Sequence, residues 1–419
     1  MLAYPSISPV RPVFSNRNQL IRYTTTSVAI LGAGHGGLAL AGRLAQDGHQ
    51  VTLWNRTPSR IAPVAKLGGV QLHSCSRIRE NSVDESVRVP ISLATSSLKA
   101  ALDQSSLVLV SVPASAHADL ARACAPHLRD GQTVLLLPGR TGGALEFRQV
   151  LWHQGCRARI LLGEANTFPV AARCVGPAEA VIYGGKSEVL ASALPSWRTP
   201  ELLAACRPVL PMLTAADSVL HTGLDNLGAI LHPAITSLNA ERIQRGDSFD
   251  FYHEGVTPEV AAVLEAADAE RLQIAAAYGV PACSLRAWIA AAYGHHAGNI
   301  LDAVRGNPAY AGIRAPATIQ HRYLLEDVPT GLIPLIELGR TAGLALPVLR
   351  GLVHQAGIAL GDNRWLNRRS LQVLGLAGLG AREIRMVIER GHVPPHEPIL
   401  RIGIRRSRRF RLPMRSLSA

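Results

Sequence analysis

The chain has 419 residues, 47% hydrophobic and 17% charged, which is enough for a substantial core and more than one domain of ordinary size. Its formal net charge of +13 is concentrated at the ends: Arg11, Arg17 and Arg22 stand without an acid before residue 27, and seven arginines stand without one from residue 401 onward, so the body is nearly balanced and no specific nucleic-acid partner is expected. With no apolar run of membrane-spanning length, no secretory leader, and Cys75, Cys124, Cys156, Cys174, Cys206 and Cys283 scattered singly, the expectation is a soluble cytoplasmic protein with free thiols and no metal site.

Residues 1–26 read as a disordered extension, and the first element follows them. SVAIL (27–31) is a β-branched apolar run leading into Gly32-Ala33-Gly34-His35-Gly36-Gly37, after which 38–45 reads as helix. Strand, glycine turn and helix in that order form a dinucleotide-phosphate cradle. Gly32 makes the turn, Gly34 admits the pyrophosphate, and Gly37 lets helix and strand pack, with His35 and Gly36 in the same loop.

A second strand, 50–54, ends in Asn55-Arg56-Thr57, where a ribose-reading residue belongs. No acid is present there to bind the 2′-hydroxyl of NAD. Arg56, helped by Arg60, is suited to the 2′-phosphate of NADP, so NADP is favoured over NAD, although a surface arginine carries the same signature.

Residues 107–112 (LVLVSV) and 133–137 (TVLLL) are continuous apolar runs of the kind found in parallel strands covered on both faces. The first closes at Pro113, beside the expected cofactor; the second runs into Pro138-Gly139-Arg140-Thr141-Gly142-Gly143. Residues 159–162 and 180–183 are expected to extend the same sheet, with Glu164 near the nicotinamide or substrate, or else a surface carboxylate.

From about Leu220 the pattern turns helical. Leu224, Leu227, Leu231 and Leu238 share a helical face that includes His232-Pro233, and the proline is expected to kink the helix and aim His232 at the inter-domain cleft. Thr257 and Pro258 open a helix that ends at Gly279 and Pro281, and two further helices are centred on Leu335 and Leu349. A lone helical histidine is more often a packing residue than a catalyst. Here Arg322 and the Glu326-Asp327 pair are candidate partners, or else an ordinary helix-end salt bridge.

The expected fold is an α/β Rossmann-type doubly wound sheet followed by an all-α C-terminal domain. The expected divisions are 1–26, a nucleotide domain over 27–220, a helical catalytic domain over 221–391, and a basic tail over 392–419.

At GAGHGG (32–37), GRTGG (139–143), GEANTFP (163–169), NLGAILHPA (226–234), FYHEGVTPEVA (251–261), RLQIAAAYGV (271–280) and RYLLEDVP (322–329), the sequence resembles the opine dehydrogenase family. The resemblance implies NAD(P)H-dependent reductive condensation of a 2-oxo acid with the amine of an amino acid. It also implies His232 as proton donor and acceptor, Asp327 as its orienting partner and Arg322 as a clamp on the oxo acid's carboxylate. The alternatives are a reductase of a small ketone or oxo acid on the same scaffold, resembling glycerol-3-phosphate or ketopantoate reductases, and a non-catalytic dinucleotide sensor. A homodimer is left open.

Overall fold

The computed structural model describes residues 25–74, 85–362, 365 and 368–391; the expected N-terminal extension and basic tail, and Cys75, lie outside them. Twelve strands occur among the described residues: β1 (Ser27–Leu31), β2 (Gln50–Trp54), β3 (Gly69–Ser74), β4 (Glu85–Pro90), β5 (Leu93–Thr95), β6 (Leu107–Val110), β7 (Thr133–Leu136), β8 (Leu161–Ala165), β9 (Val170–Gly176), β10 (Glu179–Gly185), β11 (Val189–Leu194) and β12 (Leu213–Ala215).

Uninterrupted apolar runs make β6 and β7 buried along their whole length, and this suits the interior of a sheet covered on both faces. The main sheet has the order β12-β11-β8-β7-β6-β1-β2-β5. Strands β5, β2, β1, β6, β7 and β8 run parallel, while β11 pairs antiparallel to β8. The chain winds outward from β1 through β2, then returns to β6 and winds the other way. That reversal opens a crevice at the carboxyl ends of β1 and β6, where open α/β sheets bind their ligands.

Pleating sends Val28 and Ile30 to one face and Ala29 and Leu31 to the other. The first face packs against helix His35–Gln46 and a second sheet of order β4-β3-β10-β9. The second face joins a hydrophobic cluster that runs without interruption into the helical half as far as Ile388.

Residues 180–183 do form a strand, but it belongs to the second sheet, paired with β3 and β9. An apolar run signals a strand without naming its neighbour, and β10 finds its partners over the nucleotide loop instead of at the edge of the main sheet. The strand expected at 159–162 is displaced to Leu161–Ala165, so Glu164 lies within it.

Beyond β12 come helices Val219–Leu224 and Gly228–Leu238, the latter running through Pro233. The single helix expected across this stretch is interrupted at Asp225–Leu227, where Asp225 accepts the Cys283 N–H at 3.1 Å and Asn226 is drawn to Arg140 at 3.2 Å. Thr257 caps helix Pro258–Ala277 through the Val260 N–H at 3.3 Å. Glu270 on that helix accepts the N–H groups of Val348 and Leu349, both at 2.9 Å, and so caps helix Pro347–Leu360. Helix Ala381–Arg390 returns to the nucleotide half and packs on the turn Ser196–Arg198.

Candidate active site

The glycine loop fits a dinucleotide phosphate. Gly32 has φ of +121°, and a Cβ there would lie 2.7 Å from the Ser111 carbonyl oxygen. A Cβ on Gly37 would lie 1.8 Å from the Gly32 carbonyl oxygen, so the turn and the helix entry can approach only as glycines. Gly34 precedes the helix with open space beside its Cα, and Gly36 sits under the Phe168 ring. Asn55 Oδ1 accepts the Ala33 N–H at 3.2 Å, which ties the loop to the end of β2.

Around this loop lies an arginine rim. Arg56 and Arg60 are both exposed, and neither has a carboxylate within ion-pair distance among the described residues. His35 is the first residue of the helix, and its Nδ1 accepts the Cys174 N–H at 2.8 Å. Burial, then Arg173, Arg60 and Arg322, push its pKa down, so it is neutral at physiological pH. Pro113, at the end of β6, is exposed and precedes a short turn whose Ala114 N–H faces the helical half.

Across the crevice, His232 on helix Gly228–Leu238 meets Asp327, with Nδ1 2.7 Å from Oδ2. Asp327 is only 1% exposed, whereas the histidine side chain remains 19% exposed. Burial raises the Asp327 carboxyl, but Arg140 and His232 more than reverse this and hold it below the ordinary carboxylate range. The ionised carboxylate therefore fixes the proton on Nδ1 and leaves Nε2 as the ring nitrogen outside this bond. Tyr323 stacks on the imidazole at a centroid distance of 4.3 Å, so the ring is held by a hydrogen bond at its edge and an aromatic contact on its face.

Asp327 lies at the entrance to a π-helical turn, Val328–Leu332, a distortion that recurs at functional sites. Arg140, in the loop after β7, has φ of +59°, uncommon for a residue with a side chain. It approaches Asp327 Oδ1 at 3.6 Å and Glu326 Oε1 at 3.7 Å, and it donates to Asn226 Oδ1 at 3.2 Å. The two halves of the chain thus meet in one charged cluster.

The nucleotide half, residues 28–154, matches the family model described as ketopantoate reductase PanE/ApbA, and residues 215–360 match NAD/NADP octopine/nopaline dehydrogenase, alpha-helical domain. An opine dehydrogenase of Arthrobacter sp. (strain 1C) is 36% identical over 361 residues, covering 86% of this chain and 98% of its own. The chain belongs to the opine dehydrogenase family. As a member it is an NAD(P)-dependent oxidoreductase. The octopine dehydrogenase of Pecten maximus is 24% identical over 77% of this chain and 87% of its own. A solved octopine dehydrogenase with NADH and L-arginine superposes with a TM-score of 0.73 at 22% identity, over 89% of this chain and all of that one. A yersinopine dehydrogenase with NADP+ gives 0.64 at 17% identity, over 87% and 98%.

One expected site residue of this opine dehydrogenase family member is placed differently from its sequence reading. Glu164 is wholly buried and does not face the crevice: it accepts the Ala144 N–H at 2.6 Å and the Thr222 hydroxyl at 2.7 Å, beneath the start of helix Gly143–His153. Burial raises its pKa to about 7, against the pull of those two donors and Arg369. Its apolar strand neighbours turn its face inward, which its polar identity concealed. Arg322 is 55% exposed, and Nη2 lies 3.0 Å from Glu326 Oε2. The Glu326 Oε1 also accepts the Ala114 N–H at 3.3 Å, so the segment bearing Arg322 is bound to the end of β6.

Sequence reasoning missed Arg140, Asn226, Tyr323 and Arg369. The first three lie inside family-like segments, yet Arg140 reads as a turn residue and Tyr323 as core. Arg369 has no signal in the chain at all. It is fully buried, binds Glu146 at 2.9 Å, the carbonyl oxygens of Gly139, Thr141 and Ala114, and His117 Nδ1 at 3.0 Å. A surface depression lined by Arg122, Arg129 and Arg157 opens at the amino ends of β7 and β8, opposite the crevice, and takes no part in this cluster.

Proposed function

We propose that the protein joins a 2-oxo acid to the amine of an amino acid and reduces the resulting C=N bond, with NADP(H) preferred over NAD(H). The observation that carries this reading is the His232–Asp327 pair, 2.7 Å apart, at the crevice of a sheet whose first turn fits a dinucleotide. When bound, the dihydronicotinamide supplies hydride to one face of the C=N bond. The protein's own groups handle binding and protons. Condensation removes protons from the amine and delivers one to the departing hydroxyl, and His232 Nε2 is the group suited to both transfers. General acid–base help of this kind is worth ~10² to 10⁴ in rate. Asp327 favours the imidazolium each time it forms. Arg322 keeps guanidinium N–H groups beyond its Glu326 contact and, with 55% exposure, is suited to clamp the oxo acid's carboxylate.

The NADP preference rests on Arg56 and Arg60, two exposed guanidinium groups at the β2 end with no carboxylate there to bind a free ribose 2′-hydroxyl. The ketopantoate reductase match covers only the nucleotide half and so supports the cofactor without choosing the substrate. The test is a screen of NADPH oxidation that crosses common 2-oxo acids with amino acids, followed by product mass. Oxidation that depends on both reactants, with a product mass equal to their sum less one oxygen, is expected. NADPH consumed with an oxo acid alone, independent of any amine, overturns the reading in favour of a ketone reductase.

A further inference from the structure

Condensing an oxo acid with an amino acid brings two carboxylates into one crevice, and of the two arginines ion-paired beside His232 it is Arg322 that keeps an open face. Arg140 is already committed to Asn226, Glu326 and Asp327. A second cation stands at the carboxyl end of β8. Lys186, in the loop before β11, donates from Nζ to the Thr167 hydroxyl, and its backbone N–H is fixed to the Pro169 carbonyl oxygen at 2.9 Å. Among the described residues it has no carboxylate partner, and the charged neighbour acting on it is Arg140, of the same sign.

Burial first, and then Arg140, lower the Lys186 pKa to about 8, as expected of an ammonium awaiting an anion. An ammonium held among apolar and hydroxyl groups beside another cation is costly unless an anion joins it.

We propose that Lys186 is the seat for the amino-acid reactant, binding its carboxylate. The inference rests on the opine reading and refines it: the amine reactant must carry a carboxylate next to its nitrogen, and simple amines are refused. Lys186 is a specificity-determining contact, separate from the proton chemistry of His232.

The test uses the full chain with NADP+ bound, and the variants K186M and K186R. Calorimetry compares iminodiacetate, a secondary amine with two carboxylates, against N-methylglycine, which has one. The wild-type complex is expected to bind iminodiacetate more tightly by roughly tenfold to a hundredfold, the worth of one charge-assisted contact. K186M is expected to erase that difference and K186R to restore most of it. In steady state, K186M is expected to raise KM for the amino acid by a similar factor, with kcat and KM for the oxo acid within about threefold. A rise confined to the oxo acid's KM, or a fall in kcat at unchanged KM, overturns the assignment, as does retention of the iminodiacetate preference by K186M. If the wild type turns over no pair of oxo acid and amino acid, the reaction itself fails, while the calorimetry still judges Lys186.

Discussion

A histidine that both takes and gives a proton needs one ring nitrogen anchored and the other open, and His232 meets this through Asp327 on one side and 19% exposure on the other. His232→Ala is expected to leave folding and NADPH binding intact and to lower kcat by ~10² to 10⁴. Stopped-flow turnover alongside NADPH fluorescence titration checks this, and near-normal turnover removes the residue from the chemistry. Glu164 makes a different prediction, about stability. Its pKa is raised in the fold to about 7 from an ordinary value of 4.5, so the folded state holds its proton longer than the unfolded chain does. Below pH 4.5 both states are protonated and nothing is lost; as pH rises towards 7 the unfolded chain ionises first and stability falls, by roughly 3 kcal/mol once the window is passed. Glu164→Gln keeps the shape and an acceptor for the Ala144 N–H, so it is expected to be more stable than wild type at pH 8, with the gap closing in acid. Urea midpoints across pH measure it, and a pH-independent gap overturns the assignment. Neither property of Glu164 was legible in the sequence, because a carboxylate after an apolar run looks the same whether it faces water or a buried N–H.

Among the elements, β1 and β2 span the residues expected of them, since their largely apolar runs suit strands covered on both faces. β10 was legible as a strand but not as part of a second sheet, because pairing partners are chosen by chain geometry far from the run itself. The break at Asp225–Leu227 was likewise hidden, since the leucine spacing continues through it while Asn226 is drawn away by Arg140. The end of β2 carries the cofactor prediction. Arg56→Ala is expected to weaken NADPH by roughly tenfold to a hundredfold, the worth of one charge-assisted contact, with little change for NADH. Equal loss for both cofactors, measured by fluorescence titration, places the guanidinium away from the 2′-phosphate.

The molecule as a whole has two halves by chain order but one hydrophobic cluster running from the second face of the main sheet to Ile388. The change to helical periodicity near residue 220 was legible; the return of helix Ala381–Arg390 to the nucleotide half was not, since no local pattern marks a long-range contact. Arg369 is the polar counterpart of that shared core. Arg369→Met leaves Glu146 and three carbonyl oxygens without their donor, and the expected loss is about 3 to 5 kcal/mol in a single urea transition. Two separated transitions in the wild type refute the idea of one cooperative unit. The same arginine also sets where the Asp327 carboxylate sits. Its backbone N–H holds the Pro329 carbonyl oxygen at 3.0 Å, inside the π-helical turn that follows Asp327, while its side chain grips the loops after β6 and β7. One guanidinium-bearing residue thus ties the turn behind Asp327 to the loops at the carboxyl ends of the sheet, so the carboxylate that orients the imidazole takes its position from the nucleotide half.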